Sequence, residues 1–366
     1  MNRRKLLGVA TAAAGVSLLP GKAMAAEGDL AARVRRYLDR ALEKGSPSVV
    51  CGVIRGTQEY IAGASRKGRD AAPDRRTVFQ LGSIGKTLTA TALARAVNAG
   101  TVRLDAPLTL PPGFTVPGQG PRRITLGDLA THSSGLPQLP PNLLAEADPY
   151  DPYAHYTLDD LAAGLARTTL LTDPGTTYQY SNFGFGLLGQ ALAFDGVDAM
   201  VRRRVTGPLR LSDTTTELRP DMAARKAVGH LAGEAVPDWH DHVLSGAGTS
   251  LYSTAGDMVR FLRAQLRPER SPFGDAIELT QRPHFTATEH LRLGLGWHLS
   301  SLSDGRPMTW HNGGTGGFST CTAFSRRSGT AVVMMVNTFS EGNEADGGLR
   351  PVDSLTFGLL SELVGS

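Results

Sequence analysis

The sequence predicts an α+β fold in which one antiparallel sheet, built from both ends of the chain, is flanked by helices and interrupted by a mainly helical lobe. Three observations carry this. Near the start, "PSVVCGVIRG" and "EYIAGAS" read as a hairpin behind a helix. Near the end, "FSTCTAFSRRSGTAVVMMVNTF" reads as a second hairpin ahead of a helix. Between about 105 and 245, helix-like stretches alternate with connectors rich in Pro, Gly and Asp.

Taken in order, the first 25 residues are expected to be a signal peptide. They combine a basic start, an Ala/Gly-rich middle and a small-residue cleavage site at Ala23-Met24-Ala25, and Arg3-Arg4 ahead of Leu6-Leu7 fits twin-arginine export. Removing Arg3, Arg4, Lys5 and Lys22 takes Lys+Arg from 38 to 34, against 34 Asp+Glu. The mature chain is then near neutral, and the pI of 9.2 does not argue for nucleic acid or an anionic membrane as partner. No later stretch is apolar for long enough to span a bilayer, so an exported, periplasmic or extracellular monomer is expected.

From Ala26 onward, Leu30, Val34, Leu38 and Leu42 mark a helix that stops at Gly45. The first hairpin turns at Gly56-Thr57. A second helix starts around Ser83, with Ile84, Leu88, Ala92 and Val97 toward the core and Gly100 as the stop. The stretches "ITLGDLATH", "TLDDLAAGLART" and "GFGLLGQALAF" are the helices of the inserted lobe. The second hairpin turns at Ser328-Gly329, and Val352, Leu355, Leu359 and Leu363 lie on one face of the closing helix. The domain at 26–366 thus divides into an α/β part at about 27–105 and 246–366 and a helical lobe at about 106–245.

The segment "FQLGSIGKTLTA" admits two chemistries. Gly85-Lys86-Thr87 resembles the end of a phosphate-binding loop, but that loop needs a glycine five residues before Gly85, where Gln80 stands. Ser83 and Lys86 instead share one helix face, with Cβ atoms about 5–6 Å apart, so an amine can reach the hydroxyl. A helix N-terminus also offers free N–H groups to an oxyanion. The G-x-S-x-G elbow is absent, because Ser83 has glycine at −1 and +2. Two further clusters follow: Tyr180-Ser181-Asn182 behind a Pro-Gly turn, and His311-Asn312-Gly313 at the edge of a strand.

Read as S-x-x-K, Y-x-N and H-x-G in this order, the chain resembles the penicillin-recognising serine hydrolases, namely the class C β-lactamases, related D,D-carboxypeptidases and D-aminopeptidases, and esterases of the same fold. The flanking "LATHSSGLP", "GAGTSLYSTAGDM", "LGLGW" and "GGTGGF" agree. The resemblance implies a β-lactamase/transpeptidase-like fold with the site between its lobes, and an acyl-enzyme on Ser83. It makes Lys86 and Tyr180 the two candidates for general base. It assigns Asn182 to the substrate amide, the N–H groups of Ser83 and Gly314 to the oxyanion, and His311 and Gly313 to substrate binding. The substrate implied is a β-lactam, a D-Ala-D-Ala peptide derived from peptidoglycan, or an ester, with no cofactor. His311 stands where β-lactamases of this class usually carry lysine, which moves weight toward peptidase or esterase chemistry, and the nearby cation should hold it neutral.

Two other functions are compatible with parts of the sequence. A penicillin-binding receptor or scaffold would acylate Ser83 without turnover. A metal-dependent hydrolase would draw on His240-Asp241-His242, the one tight histidine cluster, which lacks a placed third ligand. Cys51 and Cys321 are expected to be free thiols on the family's strand order, where the last strand lies between theirs. Two strand spacings are about 9.5 Å, more than the roughly 7 Å that a disulfide spans between Cα atoms.

Overall fold

The computed structural model describes residues 20–67, 71–118, 121–193, 195–342 and 349–365. Residues 1–19, most of the expected signal segment, lie outside the described residues. Helix α1 (Pro20–Glu43) leads into β1 (Ser48–Arg55) and β2 (Gln58–Ser65), and the short β3 (Val78–Gln80) precedes α2 (Gly85–Asn98). The middle of the chain forms α3 (Leu126–Ala130), α4 (Leu158–Ala166), α5 (Asn182–Leu192), α6 (Val197–Val201), α7 (Pro220–Ala223) and the hairpin β4–β5 (Gly229–Leu231, Glu234–Val236). Next come β6 (Tyr252–Thr254), α8 (Ala255–Leu266), α9 (Gly274–Gln281), β7 (Phe285–Thr286), β8 (Arg292–Leu293) and β9 (His298–Ser301). The chain closes with β10 (Pro307–Gly314), β11 (Ser319–Ser325), β12 (Thr330–Val336) and α10 (Pro351–Val364).

Eight strands form one sheet in the order β2-β1-β12-β11-β10-β9-β8-β7, every pair antiparallel. The two hairpins read from the sequence therefore meet, with β12 beside β1. Strand alternation sorts their side chains to two faces. Val49, Cys51 and Val53 of β1 and Val332, Met334 and Val336 of β12 join the core under α1 and α10. Val50 and Ile54, with Ala331, Val333 and Met335, join the larger core that contains Met258, Val259, Phe261 and Leu262 of α8 and the apolar residues of α2 and α5. Both faces being covered explains why these strands read as continuous apolar runs.

The expectation of one buried face for the helix after Ser83 is exceeded, because α2 is buried on all sides from Gly85 to Ala94. Its composition permits this. Alanines fill little space, and the hydroxyls of Thr87 and Thr91 donate to carbonyls of their own turn, Ile84 O and Thr87 O, at 2.7 Å each. A short buried strand, β3, also precedes this helix and pairs with β6. Three residues bracketed by polar turns give too little periodicity to read.

Cys51 and Cys321 both sit opposite Met334, one on each side of β12, and both are free and buried. Burial pushes the Cys51 thiol up to about 12 and Cys321 well above its ordinary value. Both should resist thiol reagents in the native protein and react fully on unfolding. Recovery of a disulfide-linked peptide pair from non-reduced protein would contradict this register.

Candidate active site

A 3₁₀ turn, Gly82–Ile84, carries Ser83 into the start of α2. Gly82 adopts φ +59°, and a Cβ there would lie 2.5 Å from the backbone nitrogen of Gly314. A Cβ on Gly313 would lie 1.9 Å from Leu81 O. Glycine at both positions lets β10 run directly against the serine turn, and Thr320 of β11 ties the same turn down by donating to Leu81 O at 2.6 Å.

Lys86 lies one turn after Ser83 and is fully buried. Its Nζ is 2.9 Å from Ser83 Oγ, 2.7 Å from Asn182 Oδ1 and 2.9 Å from Ala247 O. No carboxylate pairs with it among the described residues, and burial lowers its pKa well below the ordinary lysine value. Two of its three partners are carbonyl oxygens, which can only accept. A neutral amine gives each of them one N–H and turns its lone pair to the Ser83 hydroxyl.

Tyr180 and Asn182 are placed by the start of α5. Ser181 caps this helix, accepting from Gly184 N at 2.8 Å and donating to Pro137 O at 2.7 Å, while its own N–H donates to His132 Nδ1 at 3.0 Å. The Tyr180 ring packs on His132 (centroids 4.4 Å apart) and lies 4.9 Å from Lys86 Nζ. Burial raises the Tyr180 pKa above that of a free phenol, outweighing a hydrogen bond with Ser83. The same burial thus favours the amine at Lys86 and the phenol at Tyr180.

Ser83, Tyr180, Asn182 and Gly314 line a cavity of about 580 Å³ whose wall also includes Tyr153, Trp239, Trp310 and Arg350. His311 and Gly313 do not line that cavity but sit just behind it, Gly313 against the serine turn, where a Cβ would lie 3.0 Å from Ser83 N, and His311 beside Tyr180 and His298. Strand alternation turns Trp310 and Asn312 toward α10, where they meet Phe357 and Asp353, whereas His311 faces the side of β10 that holds Lys86, its ring 6.5 Å from that of Tyr180 and 5.1 Å from that of His298. There it is 1 % exposed and its Nδ1 lies 2.6 Å from Asn312 O. Burial holds its pKa well below the ordinary histidine value, so it is neutral as expected but through desolvation first rather than through a nearby cation.

Arg350 is the one cation among the described residues that line the cavity. It precedes Pro351 at the start of α10, its guanidinium packs over Phe339 at 5.3 Å, and a Cβ on Gly314 would meet its Nη1 at 2.7 Å. Asp353 in the first turn of α10 accepts from Arg350 N at 2.9 Å and from Asn312 Nδ2 at 2.7 Å, which locks the helix start to β10. Sequence reasoning missed Arg350, His132, Tyr153 and His298. His132 lies within the quoted "LATHSSGLP" and His298 directly follows "LGLGW", whereas an arginine before a helix-starting proline carries no motif.

The histidine cluster at 240–242 is structural. His240 pairs with Asp151, its Nδ1 2.7 Å from Oδ2, and His242 is exposed. Among the described residues no three His, Cys, Asp or Glu groups could hold a metal ion. Asp241 turns inward and accepts from Val243 N at 2.9 Å, from Leu244 N at 2.7 Å and from the Thr249 hydroxyl. These bonds shape the 3₁₀ turn Ser245–Ala247, which presents Ala247 O to Lys86 and Gly246 O to Thr89 Oγ1 at 2.8 Å.

Replacing Asp241 by Asn should loosen that turn. We expect kcat to fall roughly tenfold, with KM little changed, within the hundredfold that a misplacement of about 1 Å can cost. Burial raises the Asp241 pKa to about 6, above the unfolded value of about 3.9, so the native state holds this proton more tightly. Its contribution to stability is full at low pH and is lost as pH rises through about 6. Urea unfolding of parent and Asp241→Asn should therefore show the difference moving in the parent's favour on acidification. A shift the other way would contradict the assignment.

The protein-family model described as Beta-lactamase matches residues 30–354. The D-alanyl-D-alanine-carboxypeptidase/endopeptidase AmpH of Escherichia coli (strain K12) is 31% identical over 312 residues, 79% of each chain. Penicillin-binding protein 4 of Amycolatopsis lactamdurans is 29% identical over 305 residues, 76% of this chain and 77% of that protein. A solved beta-lactamase/D-alanine carboxypeptidase from Yersinia pestis superposes with a TM-score of 0.78 at 23% identity, covering 92% of this chain and 98% of that one, which supports the fold. The chain belongs to the beta-lactamase family of penicillin-recognising serine hydrolases.

Proposed function

We propose that this chain is an exported D-alanyl-D-alanine-type peptidase that works through an acyl-enzyme on Ser83. The observation that carries the chemistry is the buried Lys86 Nζ, 2.9 Å from Ser83 Oγ, 2.7 Å from Asn182 Oδ1 and 2.9 Å from Ala247 O, two carbonyl acceptors that match the two N–H groups of a neutral amine. Lys86 takes the hydroxyl proton as Ser83 Oγ attacks the substrate carbonyl, and the N–H groups of Ser83 and Gly314 receive the oxyanion. Collapse of the tetrahedral intermediate breaks the C–N bond. The proton passes to the leaving amine, with the neutral Tyr180 hydroxyl as the carrier. Water then attacks the acyl-enzyme, and Ser83 regains its proton as the acid leaves.

Arg350 supports a substrate with a carboxylate on the departing side, since a guanidinium matches a carboxylate with two parallel hydrogen bonds. The relative AmpH, named as a carboxypeptidase/endopeptidase, favours the same substrate class. Asn182 Nδ2 is 3.4 Å from Tyr153 Oη while its Oδ1 holds Lys86, so it links substrate amide and base. Export rests on residues 1–25 alone.

A fluorescent penicillin or a fluorophosphonate should label the protein covalently, and Ser83→Ala should abolish the label. Release of product from a D-Ala-D-Ala peptide at a steady rate distinguishes an enzyme from a receptor that only acylates. Labelling that survives Ser83→Ala would refute the site.

Arg350→Ala should lower kcat/KM for a D-Ala-D-Ala peptide by about ten- to a hundredfold, the value of a hydrogen bond to a charged group. A neutral short-chain p-nitrophenyl ester should change by less than about threefold, so the ratio of the two isolates the carboxylate contact. An unchanged ratio in a folded variant would remove Arg350 from substrate recognition.

A further inference from the structure

A second cavity, of about 250 Å³, opens where α8 ends and shares no lining residue with the catalytic one. Its wall includes Arg260, Arg263, Arg267 and Arg270, with Thr57 from the β1–β2 turn and Ser271. Arg260, Arg263 and Arg267 follow at intervals of three and four residues, which aligns them on one face of α8 and its C-cap. Arg270 comes from the 3₁₀ turn Pro268–Arg270 that follows.

Charge in this cavity is not balanced. Arg260 pairs with Asp257 at 3.3 Å, and Arg263 Nε donates to Glu59 at 2.7 Å. Neither the Arg267 nor the Arg270 side chain has a hydrogen-bond or ion-pair partner among the described residues. Four guanidinium groups against two carboxylates leave a local charge of +2 in a mature chain that is near neutral overall. The carbonyl end of α8 supplies only about half a negative charge. Arg267 is also half-buried, so water solvates it incompletely.

We propose that this cavity binds a phosphate group, as the free ion or as a phosphate monoester head group. A guanidinium fork fits phosphate oxygens in pairs, and a phosphate monoester carries a charge of about −2 near neutral pH, equal and opposite to the surplus. A lone carboxylate would leave one cation uncompensated. The volume is below the roughly 300–1,000 Å³ of pockets for larger ligands, so little beyond the phosphate fits inside.

The test is calorimetric titration of the full chain with inorganic phosphate and with glycerol 3-phosphate at constant ionic strength, and cosedimentation with phosphatidylcholine vesicles with and without phosphatidic acid. Saturable one-site binding is expected, weakened at least about tenfold in R267Q/R270Q, with ester hydrolysis equal in both proteins. Binding of the soluble ligands assigns the site to free phosphate or a small monoester, and cosedimentation that depends on phosphatidic acid and on these arginines assigns it to a lipid head group. R270Q alone, at an exposed position, should weaken binding by at least about threefold and keeps the test open if the double variant does not fold. Absence of saturable binding to phosphate, glycerol 3-phosphate and vesicles alike, or equal binding by parent and variants, overturns the proposal.

Discussion

The site depends on burying one lysine without a counter-charge. An isolated ammonium taken out of water is costly enough that a buried lysine sheds its proton instead. Lys86 meets that condition with three partners from three separate parts of the chain: the Ser83 hydroxyl on its own turn, and the carbonyl acceptors of Asn182 at the start of α5 and Ala247 in the turn before β6. Each is neutral. An aspartate in place of Asn182 would hold the ammonium and leave no lone pair for the serine.

Much of the surrounding architecture serves to bring those partners to one point. The sheet brings β10 against the serine turn, at a distance that only glycine at 82 and 313 allows. His132 and Pro137 hold the backbone and hydroxyl of Ser181, which sets the first residue of α5 and so Asn182. Asp241 works through backbone, shaping a turn whose carbonyls contact α2 at both Lys86 and Thr89. The α10 start then places Arg350 on the opposite wall through Asp353 and Asn312.

What was legible in the sequence was what depends on periodicity or on side-chain spacing. The two hairpins, the terminal helices and the i, i+3 relation of Ser83 and Lys86 belong to this class. The free cysteines follow once β12 is placed between β1 and β11. An H-x-G motif says nothing about how deep the side chain sits: His311 faces the Lys86 side of β10, its ring 6.5 Å from that of Tyr180, but is buried behind the cavity wall. Ala247 contributes a backbone carbonyl, which any residue would provide, so no sequence signal marks it. Arg350 is separated from the motifs along the chain and reaches the cavity only through the fold.

The central claim is that Lys86 is an amine when Ser83 is free. Its most direct test is to follow the Cε chemical shift of Lys86 with pH by ¹³C NMR in the unacylated protein, assigned by its loss in Lys86→Met. The account predicts a single titration with a pKa well below the ordinary lysine value of 10.5. A Lys86 that stays charged into the ordinary lysine range would contradict it and return the general base to Tyr180.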